Sequence, residues 1–249
     1  PFPSAERGCA LAASGALLGV RAVARWFAGL HALQLPVPAP TPWQTAAIAF
    51  AFAALVWAPR SRGALATLAL ALAVLLALTA RSGGAPRGVL RATFIDVGQG
   101  DAALVDLPDG SAMLIDGGGL VGSPLDVGRR VIAPLLRARR RDRLAVVVLT
   151  HPHPDHFGGL ESGLAGVRVG AFWDTGQGER EGVAGGYARV LAGMRLQNTL
   201  IARPADLCGP HAIGGARVDV LAPCPAASVD RPPNDNSFVL RIAYGRRAL

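Results

Sequence analysis

Three imidazoles and a carboxylate fall within six residues, His151, His153, Asp155 and His156 in the run T-H-P-H-P-D-H-F-G-G from 150 to 159. The chain of 249 residues has five histidines, and three gathered here are hard to explain without a metal. Imidazole and carboxylate are suitable ligands for Zn or Mn. Alternate side chains of an extended segment point the same way, so His151 and His153 can serve one ion and Asp155 and His156 a second. Gly158 and Gly159 let the turn pass close to the ions. Two divalent ions about 4 Å apart activate a bridging water and stabilise a leaving oxygen, so the expected chemistry is hydrolysis without a side-chain nucleophile. Asp155 is then a ligand and also the catalytic candidate that orients the water. His31 reads as an interfacial side chain, and His211 could be a further ligand.

The elements that must hold this loop are legible around it. L-A-V-V-V-L (144 to 149) is a continuous apolar run, the mark of a strand buried on both faces, and it leads straight into the loop. L-R-A-T-F-I-D-V (90 to 97) reads as a strand, and A-A-L-V-D-L (102 to 107), P-D-G and S-A-M-L-I (111 to 115) read as a hairpin. A helix is predicted over 126 to 138, with Val127, Val131, Pro134 and Leu135 near one face, although Pro134 sits awkwardly inside it. Together these make an α/β domain over 89–249. Cys208 and Cys224 flank a predicted hairpin at 213 to 222 and either pair or pack as thiols.

Before that domain the composition changes. The chain is 51% hydrophobic with mean hydropathy +0.35, which excludes a disordered chain. Its 25 basic residues, all arginine, stand against 17 acidic ones. Seven of those arginines lie in 1–88 beside Glu6 alone, net +6, which leaves +2 for the remainder. Basic residues flanking apolar segments are a membrane pattern, so the charge alone is weak support for nucleic acid. Segments of about 41–58 and 63–80 carry no charge and are predicted to be transmembrane helices joined by P-R-S-R. Trp43 and Trp57 lie near the ends of the first, where indole favours the interface. Residues 8–33, with Arg21 and Arg25 one turn apart, read as an interfacial or partly spanning helix. Arg60 and Arg62 in the turn argue for the cytoplasmic side there and the later domain outside, but Arg81, Arg87 and Arg91 follow the second helix on the opposite side and leave the bias slight. Both chain ends read as cuts within a longer protein.

The loop H-x-H-x-D-H at a strand end resembles the signature of the metallo-β-lactamase superfamily. It follows L-I-D-G-G-G (114 to 119), whose Asp116 matches the aspartate of that superfamily's first motif. More narrowly, F-I-D-V-G-Q-G-D-A (94 to 102), L-I-D-G-G-G, G-R-R-V-I-A-P-L-L-R-A-R and N-D-N-S-F-V-L-R-I (234 to 242) resemble the hydrolase domain of ComEC-type DNA-internalisation proteins, which follows a polytopic membrane region. The resemblance implies an αββα sandwich, incomplete at its C-terminus and preceded by transmembrane helices. It also implies two divalent ions, Zn or Mn, with His151 and His153 on one and Asp155 and His156 on the other. Asp116 would orient the loop as a hydrogen-bond acceptor behind the ligands. Asp101 would sit beside the site as a second catalytic candidate, unless it is a turn aspartate satisfying backbone N–H groups. Where superfamily enzymes place a third histidine this chain offers Asn234, so the first metal position is one ligand short.

The function so implied is a metal-dependent nuclease within a DNA-uptake channel of natural transformation, degrading the strand that is not transported. Its partners would be DNA, membrane lipid and other competence proteins, with no nucleotide cofactor, in a multi-pass protein of the bacterial inner membrane. Arg137, Arg139, Arg140, Arg141 and Arg143 precede the metal-loop strand and are the DNA-binding candidates, since guanidinium engages phosphate with fork geometry. A solvated helix end is an equal account of them. Two other functions use the same residues: hydrolysis of a small ester or thioester, and a non-catalytic module that guides DNA.

Overall fold

The computed structural model describes residues 3–28, 42–57, 62–81, 86–119 and 125–249. The chain divides into two compact units, Pro1–Val37 and Pro38–Leu249. The first contains helix α1 (Pro3–Ala28). Its segment Gly8–Trp26 is, among the described residues, the one helix long and apolar enough to cross a membrane. The helix predicted over 8–33 thus starts earlier, and residues 29–33 lie outside the described residues.

The second unit opens with α2 (Pro42–Trp57) and α3 (Arg62–Arg81), packed as a hairpin. The two apolar segments predicted at 41–58 and 63–80 are therefore helices, but α2 at 16 residues is only about 24 Å long, short of a hydrocarbon core of about 30 Å. In α3 the apolar stretch is Leu65–Leu75.

A six-stranded sheet follows, ordered β1 (Arg91–Phe94), β2 (Ala103–Asp106), β3 (Ala112–Ile115), β4 (Arg143–Leu149), β5 (Arg168–Asp174) and β6 (Leu200–Ala202). The first three strands meander antiparallel, and β3 to β6 run parallel. Helix α4 (Ala133–Ala138) enters β4 through a turn, and α5 (Pro154–Phe157) and α6 (Leu160–Gly163) follow that strand. After β5 come α7 (Gln177–Arg180) and α8 (Gly186–Leu196), and α9 (Pro204–Leu207) follows β6. A second, antiparallel sheet is ordered β10 (Arg247–Ala248), β9 (Val239–Tyr244), β8 (Ala216–Ala222) and β7 (Gly209–Ile213).

Two cores explain the unbroken apolar run of β4. Val147 and Leu149 face Ile132, Leu136, Leu160 and Leu191 on the helical side, while Val146 and Val148 face Val218, Val220 and Phe238 of the second sheet. A strand with both faces covered alternates between two apolar environments, so it reads as continuous apolar sequence. The outer face of the second sheet carries Arg217 and Arg241, both paired to Asp219. Among the described residues no helix covers that face, and of the expected αββα sandwich three layers, α/β/β, are present. The helix predicted over 126 to 138 divides into a π-helical turn (Gly128–Ile132) and α4. Pro134 has no N–H to donate, and the widened turn lies just before it. Cys208 and Cys224 form a disulfide that ties the start of β7 to the end of β8.

Candidate metal centre

In parallel strands the loops at the carboxyl ends share one edge, and here three of them interlock. Gly117 N–H donates to the His156 carbonyl, Gly118 N–H to the Asp101 carbonyl and Gly119 N–H to the Gln99 carbonyl, which binds the G-Q-G-D, D-G-G-G and metal loops together. Gly100 (φ +76°) lies so close to the metal loop that a β-carbon there would stand 1.6 Å from the Asp155 carbonyl oxygen. Only glycine fits at that contact. Pro154 is pre-shaped for the first turn of α5, which places Asp155 and His156 on helical backbone while His153 caps it in extended conformation.

These loops enclose a cavity of about 530 Å³ lined by Asp101, Asp116, His151, His153, Asp155 and His156 together with Asn234 and Ser237. The rings of His151 and His156 lie 4.0 Å apart and those of His151 and His153 4.7 Å apart, centre to centre. Asp155 Oδ2 is 3.8 Å from His156 Nε2. All four loop residues expected to bind metal, and Asp101, therefore reach one cavity. Among the described residues no three such side chains stand in ligating geometry, so an ion would have to draw them inward.

Behind the ligands a hydrogen-bond network sets the tautomers. Asp116, at φ +56°, turns its backbone into the left-handed region so that its carboxylate points back beneath the loop. Aspartate tolerates that conformation at a cost of about 1–3 kcal/mol. The carboxylate accepts from Thr150 N–H at 2.8 Å, Thr150 Oγ1 at 2.7 Å and His156 Nδ1 at 2.8 Å. Ser237 Oγ donates to the Asn234 carbonyl at 2.8 Å. With both hydroxyl protons committed, Thr150 and Ser237 can only accept from His151 Nδ1, at 3.2 and 3.1 Å. His151 and His156 are thus both protonated at Nδ1, which leaves Nε2 of each to receive a metal. Spacing could not reveal Ser237, since it comes 86 residues after His151. Asn234 lines the cavity, exposed at its edge, and its carbonyl serves the network.

Electrostatics agree with this division of roles. Burial, then the charges of His156 and His153, bring the His151 pKa from 6.5 down to about 4, so the ring is neutral at physiological pH. Burial works to lower His156 as well, but the hydrogen bond and charge of Asp116, with Asp155 and Asp101 nearby, outweigh it and raise the pKa. Burial pushes the Asp116 carboxyl up against the pull of its His156 and Thr150 donors. The donor set fits a divalent metal: neutral imidazole, carboxylates facing the cavity, and a buried acceptor behind a ligand ring.

Two predictions arise here. Asp116→Asn keeps the size and tolerates the left-handed backbone, yet supplies a weaker acceptor for His156. Metal affinity is expected to fall about 10- to 100-fold, read by competition with a chelator of known affinity. The second concerns acid. Because the folded His151 pKa is depressed to about 4 from 6.5, the unfolded chain takes up a proton that the folded one refuses between those values, and stability from this residue falls as pH drops through that window. The His156 contribution is constant below 6.5, because its pKa is raised. For metal-free protein, the stability of wild type relative to His151→Gln should decline by about 2–3 kcal/mol between pH 6.5 and pH 4, measured from paired thermal unfolding curves. A constant difference would show His151 to be solvated.

The remaining candidates do not join the cavity. The arginines that precede β4 lie at its opposite end, a strand length of about 20 Å from the loop. Arg141 is buried, and its Nε and Nη2 bind the wholly buried Asp106 at 3.1 and 2.7 Å. Arg139 approaches the same carboxylate at 3.5 Å, and Arg140 donates to Gln44 of α2 at 3.3 Å. Arg137 and Arg143 are exposed at that far end. The five DNA-binding candidates therefore lie at the edge of the sheet opposite the cavity, because residues just before a strand and just after it occupy opposite edges. Arg203 lies at the site's edge of the sheet, but its guanidinium is committed to Asp174 and Glu179. His211 donates from Nε2 to the Leu207 carbonyl at 2.7 Å and is no ligand, and His31 lies outside the described residues.

Residues 95–171, which span the G-Q-G-D, D-G-G-G and metal loops, match the family model of the metallo-beta-lactamase superfamily. This segment, just under a third of the chain, is thus similar to a metallo-beta-lactamase superfamily domain. Members of this superfamily are metal-dependent hydrolases or related oxidoreductases. Comparison with curated proteins returns no match. Among solved structures, similar chains include a mutant flavo di-iron protein from Thermotoga maritima, 19% identical over 57% of this chain and 30% of that one, TM-score 0.39. CmlA, a diiron beta-hydroxylase from Streptomyces venezuelae, is 18% identical over 72% of this chain and 34% of its own, TM-score 0.38. The chain thus spans about a third of the length of these structures.

Proposed function

We propose that this superfamily domain is a metal-dependent phosphodiesterase that degrades DNA, within a membrane-embedded DNA-uptake protein of the ComEC type that its motifs resemble. The observation that carries the hydrolytic reading is the convergence of His151, His153, Asp155 and His156 on one open cavity, with the Nδ1 atoms of His151 and His156 occupied from behind. Two divalent ions held there, Zn or Mn, would supply an activated water and a Lewis acid. The chain's own part is to present Nε2 of both rings, to hold Asp155 at the cavity edge and to keep Asp101 beside it. The apolar segment Gly8–Trp26 of α1 supports a membrane location, and the resemblance extends this to a multi-pass protein of the bacterial inner membrane with α2 and α3 embedded. The Cys208–Cys224 disulfide favours an oxidising compartment, and hence the exocytoplasmic side, for the domain. DNA and other competence proteins would be its partners.

A second reading, hydrolysis of a small ester or thioester, is favoured by one observation: no arginine lines the cavity among the described residues. The experiment that separates them supplies the metal-loaded full chain with a labelled single-stranded oligonucleotide and, separately, a thioester. Nucleotide release abolished by chelation supports the nuclease. Thioester cleavage with the oligonucleotide intact supports the alternative, and DNA binding without cleavage of either substrate would leave a guiding module.

A further inference from the structure

The hydrolytic reading makes no use of the arginine-rich edge of the six-stranded sheet. There one buried carboxylate, Asp106, faces three guanidiniums: Arg91 with Nε at 2.8 Å, Arg141 at 2.7 Å and Arg139 at 3.5 Å. Two positive charges are left over. The Nη1 atom of Arg141 is buried and has no hydrogen-bond partner among the described residues, its side chain being only 3% exposed, while Nη1 of Arg139 has only the long 3.5 Å contact to Asp106. A buried donor without an acceptor costs free energy, which an anion entering this edge would relieve. Further along it Arg143 and Arg168 stand opposite each other on neighbouring strands, beside a cavity of about 510 Å³. The nearby acid, Asp142, is exposed and shared with Arg168.

The apolar hairpin is joined to this same edge. Arg140 Nη2 bonds Gln44 in the first turn of α2, next to Trp43, whose indole is 84% exposed. The chain returns along α3 to Arg81 and enters β1 at Arg91, again on this edge. We propose that the edge formed by Arg139, Arg140, Arg141 and Arg143 binds the headgroup phosphate of an anionic phospholipid, an inference that rests on the membrane embedding of α2 and α3 proposed above. With the hairpin in a bilayer, Trp43 and Gln44 lie at headgroup depth and bring the guanidinium forks to the phosphates, whose geometry they match. The metal cavity then faces away from the bilayer, about one strand length of 20 Å further out.

The test titrates the full chain in detergent with phosphatidylglycerol or phosphatidylcholine and counts retained lipid by native mass spectrometry. The Arg140→Gln, Arg143→Gln double variant leaves the Asp106 cluster intact, and its thermal unfolding curve serves as the check on folding. Phosphatidylglycerol should be held roughly 25-fold less tightly by the variant, about five-fold per arginine, with phosphatidylcholine retention unchanged. Equal retention of phosphatidylglycerol by the variant and wild type overturns the proposal. Displacement of the lipid by inorganic phosphate would reveal a free-phosphate site, and displacement by an oligothymidylate a nucleic-acid surface; either result overturns it too. Flotation with neutral phosphatidylcholine vesicles reads the membrane embedding separately. A chain that floats while the variant retains phosphatidylglycerol refutes the lipid site alone, whereas a chain that does not float refutes both.

Discussion

Replacing His151 and His153 together by alanine is expected to lower metal affinity by more than about 100-fold and to remove hydrolysis with it. The scale follows from the geometry. Loss of a partner behind a ligand costs about 10- to 100-fold in affinity, and loss of two ligands must cost more. Asp155 and His156 would remain, with Asp116 still holding His156 Nδ1 at 2.8 Å, so the folded loop survives while one ion loses both of its imidazoles. Metal content by mass spectrometry after dialysis, beside activity on whichever substrate the wild type cleaves, gives the readout. Full metal content and activity in the double variant would remove these two histidines from the centre. Because both rings sit among hydroxyls and carboxylates rather than in an apolar core, the thermal midpoint should move far less than the affinity.

Asp106→Ala should act in the opposite way, on stability and hardly on the site. Asp106 is wholly buried and is the shared partner of Arg91, Arg139 and Arg141. Its removal leaves Arg141, itself buried, as an uncompensated charge, and breaking one partner out of a buried ion cluster costs about 3–5 kcal/mol. For a domain of this size that corresponds to a fall in thermal midpoint of roughly 6–20 °C. The metal loop lies at the other edge of the sheet, so chelator competition on the folded fraction should return the wild-type affinity. A midpoint within a degree or two of wild type would mean that water reaches the cluster and solvates the guanidiniums.

The contrast between these substitutions shows where reading the chain by itself sufficed. The metal loop, the buried strand before it and the glycine-bearing loops at 98–101 and 116–119 could be seen as sequence, because each depends on local chemistry: ligand types at short spacing, apolar runs, and glycine where backbones touch. Helices near 41–58 and 63–80 were legible for the same reason, since uncharged apolar stretches have few other stable forms. The arginine run was legible as charge but not as location. Whether these guanidiniums stand near the metal loop or at the far edge, where Arg139 and Arg141 meet a buried aspartate, depends on the direction of β4, and residues 143 and 151 are close in sequence yet a strand length apart.

What the amino-acid order determined by itself is therefore the ligand chemistry and the strand that delivers it. Only the tertiary structure decided that Ser237, 86 residues downstream of His151, holds that ring beside Thr150, that Arg141 serves Asp106, and that Cys208 pairs with Cys224. The physical reason is range. Propensity, spacing and backbone geometry act over a few residues, whereas a shared hydrogen bond or a buried charge depends on which distant segments the sheets bring to the same edge.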